Sequence, residues 1–144
     1  MNAQTWLRTS AIALGALLLT ACKGTEGTYK LDKTETKKAM EVEFEKLPEG
    51  QKGMAKLVLG MIDSLDMSIE LKAGGDLEMK TTSPNLGGGD APKTDVTTGK
   101  WSKDGDTILI VGSDGKKVNC TLAGSKLTCI GDGKSSTKLV LNRG

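Results

Sequence analysis

Beyond residue 67 the sequence is cut at nearly even intervals by turn-forming groups, and this punctuation constrains the fold more than any other feature. Gly74-Gly75, Asp104-Gly105, Asp114-Gly115, Gly124-Ser125 and Gly131-Asp132-Gly133 separate short segments. Within those segments apolar and polar residues alternate, as in Ser68–Lys72 and Asp76–Lys80. A period of two sets apolar side chains on one face of a strand. Turns recurring roughly every ten residues leave room for hairpins and little else. Only Ser83 to Asp95, rich in Gly and Pro and without periodicity, reads as a long loop. The predicted class is mainly β, an antiparallel up-and-down meander of about eight strands. A sheet with one apolar face must cover it or close on itself, and about eight strands make a barrel that holds side chains or one small ligand.

Register follows from asking which pairing gathers the apolar residues, because one residue of slip turns every side chain to the other face. A two-residue turn at Asp104-Gly105 predicts Trp101 opposite Ile108, with Ile110 on the same face. A three-residue Ser113-Asp114-Gly115 loop, with Gly115 left-handed in a bulge, pairs Ile110 with Val118 and Ile108 with Cys120. A two-residue turn there would put Val118 and Cys120 on the opposite face. Around Gly124-Ser125, Leu122 meets Leu127 and Cys120 meets Cys129. That pair is non-hydrogen-bonded, with α-carbons about 4.5 Å apart, the short end of disulfide geometry. A structural cross-strand disulfide between Cys120 and Cys129 is therefore predicted. Leu139 and Leu141 extend the same face in the last strand.

The first half is different. Thr28–Leu31 reads as a strand, after which Asp32 can cap a helix with Glu35 three residues on. Met40, Phe44 and Leu47 recur at helical spacing until Pro48. Met54, Leu57, Val58, Met61, Ile62 and Leu65 then form one wide apolar stripe, the strongest helical periodicity in the chain. That stripe is expected to face the core, with Met54 and Met61 as filling and Met79 alternating inward.

Residues 1–21 read as a secretory signal, with Arg8 ahead of an apolar run at Ala11–Leu19. The run is shorter than the ~20 apolar residues of a membrane span. Leu19 at position −3 suits ordinary signal peptidase poorly, and Leu19-Thr20-Ala21-Cys22 resembles the bacterial lipobox. The resemblance implies that Cys22 receives a diacylglyceryl thioether and begins a mature lipoprotein anchored in the membrane through its lipid. Lys23, where an Asp would retain the protein at the inner membrane, implies the outer membrane, facing the periplasm. The expected organisation is a signal peptide at 1–21, a lipid-anchored tether at 22–27 and a barrel domain at 28–142. With Cys22 assigned to lipid, Cys120 and Cys129 remain as a pair in an oxidising compartment.

Gly27-Thr-Tyr29, Gly99-Lys-Trp101 and Gly105-Asp-Thr-Ile108 are similar to small lipocalin-like (calycin-type) bacterial lipoproteins. The Gly-x-aromatic pattern resembles the Gly-x-Trp signature of lipocalins, and a helix pair after the first strand resembles fatty-acid-binding proteins. The chain departs in carrying Tyr29 in the first motif. Its one arginine past the signal, Arg143, is not expected at the place of the usual Trp–Arg packing. The Cys-x-x-Cys of copper-linked envelope lipoproteins is absent from the sequence.

The chain contains no histidine, which excludes Ser-His-Asp and Cys-His nucleophiles and His-liganded zinc. Asp104/Asp106 and Glu41/Glu43/Glu45 read as solvated surface, so no enzyme, metal or cofactor is expected. Of the 20 lysines and arginines one, Arg8, lies in the signal, leaving 19 against 18 acids, a balance without the footprint of nucleic-acid binding. Two readings remain. In one, the barrel binds a small hydrophobic ligand among Tyr29, Ile69, Leu71, Leu77, Met79, Trp101, Ile108, Ile110, Val118, Leu122 and Leu139. The helix pair is then the portal, held by the short tether beside a source of lipid. In the other, the barrel is fully packed and the protein is a structural or protein-interaction lipoprotein. Apolar alternation alone does not separate a cavity from a core.

Overall fold

The computed structural model describes residues 24–84, 91–131 and 137–144. The signal segment, Cys22, the glycines at 87–89 and the 132–133 turn lie outside them. Ten main elements follow in order: β1 (Gly27–Leu31), α1 (Lys33–Phe44), α2 (Glu49–Ser64), β2 (Asp66–Leu71), β3 (Asp76–Ser83), β4 (Lys93–Asp104), β5 (Thr107–Gly112), β6 (Lys117–Ala123), β7 (Lys126–Gly131) and β8 (Lys138–Arg143). The strands form a closed antiparallel barrel in chain order, with β8 pairing back onto β1. Closure removes both sheet edges, which is how a one-sided meander avoids exposing unpaired backbone.

The barrel has two distinct ends. The upper pole carries α1 and α2, the β5–β6 turn and the strand ends at Ser83, Lys93, Gly131 and Lys138. The lower pole carries the β2–β3, β4–β5 and β6–β7 turns and the residues leading into β1.

Most of the register follows from turn chemistry. Gly115 is left-handed (φ 80°), Ile110 pairs with Val118 and Ile108 with Cys120. Leu122 pairs with Leu127, and Cys120 with Cys129. At the β4–β5 hairpin the expectation needs correction. The turn residues are Gly105 and Asp106, and Trp101 faces Ile110 instead of Ile108. Gly105 takes the left-handed conformation (φ 59°). The pairing moves by two residues, so no side chain changes face. The expected loop at Ser83–Asp95 is also shorter, because β3 runs through Ser83, which pairs with Lys93. The residues of this ribbon are polar on both faces, so pairing left no periodic signal to read.

α1 is capped as expected, Glu35 N–H donating to the Asp32 carboxylate at 2.9 Å. The other Asp32 oxygen accepts from Asn142 Nδ2 at 2.7 Å. β1 ends opposite Leu141 while β8 continues upward, leaving Val140 without a strand neighbour on that side. Asp32 N–H donates to the Val140 carbonyl at 2.8 Å. The buried Thr36 hydroxyl accepts from Val140 N–H at 3.0 Å and donates to the same carbonyl at 3.2 Å. Thus α1 takes over the edge of β8 that β1 abandons.

α2 departs most from expectation. Its stripe is turned outward: Met54 is 74 % exposed, Leu57 71 % and Met61 52 %. Only Ala55 and Ile62 are buried, seven residues apart on one line. At about 100° per residue this line lies roughly a quarter-turn from the centre of the stripe. The barrel has already filled its own interior, so α2 touches the rest of the fold along one seam.

Candidate functional site

Each strand contributes inward residues to one apolar cluster: Tyr29, Ile69, Leu71, Leu77, Trp101, Ile108, Ile110, Cys120, Leu127, Cys129 and Leu141 are buried together, with Met79, Val118, Leu122 and Leu139 packed against them. Cys120 and Cys129 form a disulfide with α-carbons 4.0 Å apart. Their sulfurs are part of the core, since both residues are almost fully buried.

The lower pole is closed by polar contacts. The chain before β1 turns under the barrel, and Thr25 is fully buried there. Its carbonyl accepts from the Tyr29 hydroxyl at 2.7 Å, and its hydroxyl oxygen accepts from Lys103 Nζ at 3.0 Å. Trp101 Nε1 donates to the Lys72 carbonyl at 2.9 Å, tying β4 to the β2–β3 turn. Arg143 stacks over the Tyr29 ring, 5.5 Å from its centre, and donates to the Glu26 carbonyl. The expectation that no arginine would pair with the first Gly-x-aromatic is corrected here. Tyr29 faces Arg143 directly across the β1–β8 seam, a pairing that only barrel closure creates. Burial pushes the Tyr29 phenol above its ordinary value, with the positive charge of Arg143 opposing the shift.

The upper pole is different. Between the helices and the barrel rim lies a cavity of about 590 Å³, lined by Met40 of α1, Val58, Met61, Ile62 and Leu65 of α2, Ser83 and Pro84 after β3, Lys93 of β4, and Thr137 and Leu139 at the start of β8. Its wall is apolar except for Ser83, Thr137 and Lys93, and Lys93 Nζ is paired with the Asp95 carboxylate at 3.2 Å. The site can hold a hydrophobic body with few directional contacts. Among the described lining residues, Lys93 is the one ionisable side chain, so the wall itself holds no acid–base pair.

Of the residues expected to meet a ligand, Leu139 lies on this wall. Tyr29, Ile69, Leu71, Leu77, Trp101, Ile108 and Ile110 pack together in the core below, with Met79, Val118 and Leu122 against them. The helical lining was not singled out from sequence, although the α2 stripe carried the signal. A stripe wider than its packing seam has a surplus, and Val58 and Met61 supply it to the cavity. The helix pair borders the cavity, but its expected nearness to the start of the domain needs correction: β1 runs from the lower pole upward, so the chain enters the barrel at the end opposite the cavity.

No protein-family profile matches the chain, and no curated protein is similar to it. Among solved structures, the chain is similar in fold to the fluorescent protein UnaG in its wild-type form, at 14 % identity and a TM-score of 0.40, with 85 % of this chain and 98 % of that chain covered. A single-residue mutant of the same protein is similar at 14 % identity and a TM-score of 0.39, with 83 % and 95 % covered.

Proposed function

We propose that this protein is a non-enzymatic lipoprotein of the bacterial envelope that binds a small hydrophobic ligand in the helix-covered mouth of its barrel. One observation carries the reading: a cavity of about 590 Å³ with an almost wholly apolar wall. Ligand pockets span roughly 300–1,000 Å³ and combine apolar walls with a few polar groups. The packed core beneath leaves the mouth, under α1 and α2, as the space open to a guest. The lipobox-like Leu19–Cys22 supports acylation of Cys22, and Lys23 supports the outer membrane, facing the periplasm. Each buried methylene of the acyl chains contributes about 0.8 kcal/mol, so two or three chains anchor stably.

Native mass spectrometry of the full-length protein, extracted gently from its own cells, tests both parts. The expected spectrum carries acyl mass on Cys22 and a retained apolar guest. Val58→Trp fills part of the cavity from the half-exposed side of α2 and weakens binding of an apolar fluorescent probe by about tenfold, or ~1.4 kcal/mol. An empty wild-type protein with no probe uptake would leave the packed, protein-interaction reading in its place.

A further inference from the structure

Thr25, the described residue near the candidate anchor Cys22, and the cavity lie at opposite ends of one strand. At the lower end of β4, Lys103 holds the buried Thr25; at the upper end, Lys93 lines the cavity. Ten residues of strand at about 3.3 Å each span ~33 Å, or roughly 25 Å along the axis for a strand tilted by ~40°. Cys22 is three residues before Thr25, a reach of at most ~10 Å.

The surface is divided the same way. Among the described residues the exposed large hydrophobics are Val42 of α1, Met54, Leu57, Val58 and Met61 of α2, Val96 in the upper half of β4 and Ile130 at the upper end of β7. The lower turns at Ala73–Gly75, Gly105-Asp106 and Gly124-Ser125 carry none. By apolarity alone the upper cap is the face a bilayer would take up, but a ~10 Å tether cannot bring a surface ~25 Å away onto the membrane that holds it. Length decides the contest.

Resting on the anchored reading above, we infer that the lower pole lies on the bilayer carrying Cys22 while the cavity mouth and α2 face the aqueous side. The anchoring bilayer is therefore the partner of the polar turns. A guest enters or leaves from a separate particle, and the membrane that holds the protein is not its direct source.

Trp101, the only tryptophan past the signal, sits beside the β2–β3 turn and reports on the lower pole. Acylated protein with the signal removed is reconstituted in phosphatidylethanolamine–phosphatidylglycerol vesicles with dansyl headgroups, and energy transfer from tryptophan is measured. Strong transfer is expected from Trp101. In a Trp101→Phe, Leu57→Trp variant the donor sits on α2, and transfer is expected to fall roughly threefold or more with the added height. Equal or stronger transfer from α2 overturns the inference and leaves the anchor intact. Leu57→Lys, at an exposed position, keeps Trp101 and guards against a misfolded first variant. Its transfer should match wild type, whereas a rise would show that α2 had been holding the domain the other way up. A product without acyl mass on Cys22 overturns the anchored reading and this inference together.

Discussion

Removing the Cys120–Cys129 bridge tests how much of the barrel depends on a cross-link in an already local hairpin. The cysteines are nine residues apart. The chain-entropy relation gives a loss of about 8.7 cal/mol/K for a loop of this length, or roughly 2.6 kcal/mol at 25 °C. Unfolding about 120 residues carries an entropy of ~250 cal/mol/K, so each kcal/mol moves Tm by about 4 °C. Reduction by a phosphine should therefore lower Tm by about 10 °C. The double variant Cys120→Ala, Cys129→Ala also deletes two sulfurs from positions only 1 % and 3 % exposed. The resulting void adds about 1 kcal/mol, taking the fall to roughly 14 °C. Calorimetry of oxidised, reduced and double-variant protein separates the two contributions. The denaturant m-value should rise when the bridge is lost, because the released unfolded chain exposes more surface. A reduced protein that melts within about 2 °C of the oxidised one would refute the loop-entropy argument.

Gly99→Ala should cost about 1–3 kcal/mol in chemical denaturation. Its Cβ would run into the Val111 carbonyl and lie 2.9 Å from Leu77 Cδ2, whereas Thr98→Ala on the neighbouring exposed face should be nearly silent. Thr36→Val keeps the shape but strands the buried Val140 N–H, while the Val140 carbonyl keeps its bond from Asp32 N–H, and should cost about 1–3 kcal/mol. The chain has one tyrosine, so phenolate absorbance reports Tyr29 alone, and its midpoint should lie above the ordinary 10.0. Because the folded state holds that proton longer than the unfolded chain does, this contribution is complete below pH 10.0 and is lost as pH rises through the folded midpoint. The difference between wild type and Tyr29→Phe across that window isolates it.

The strands and most of their pairing were legible in the sequence because both depend on local chemistry. Glycine at 115 sets the bulge that brings Ile110 against Val118, and the turn at 124–125 brings Cys120 to Cys129. Alternation then tells every inward residue apart from its neighbours, even where the β4–β5 turn was displaced by one position. Three matters were beyond that reach. The Tyr29–Arg143 stack joins the first and last strands and exists only once β8 closes on β1. The outward roll of α2 depends on how much apolar surface the barrel leaves uncovered, and an amphipathic stripe records the total amount without saying which part finds a partner. The opposition of the cavity and the chain's entry into β1 follows from the direction of β1 relative to the helices above it. A period describes one segment at a time; the arrangement of poles is a property of the closed sheet.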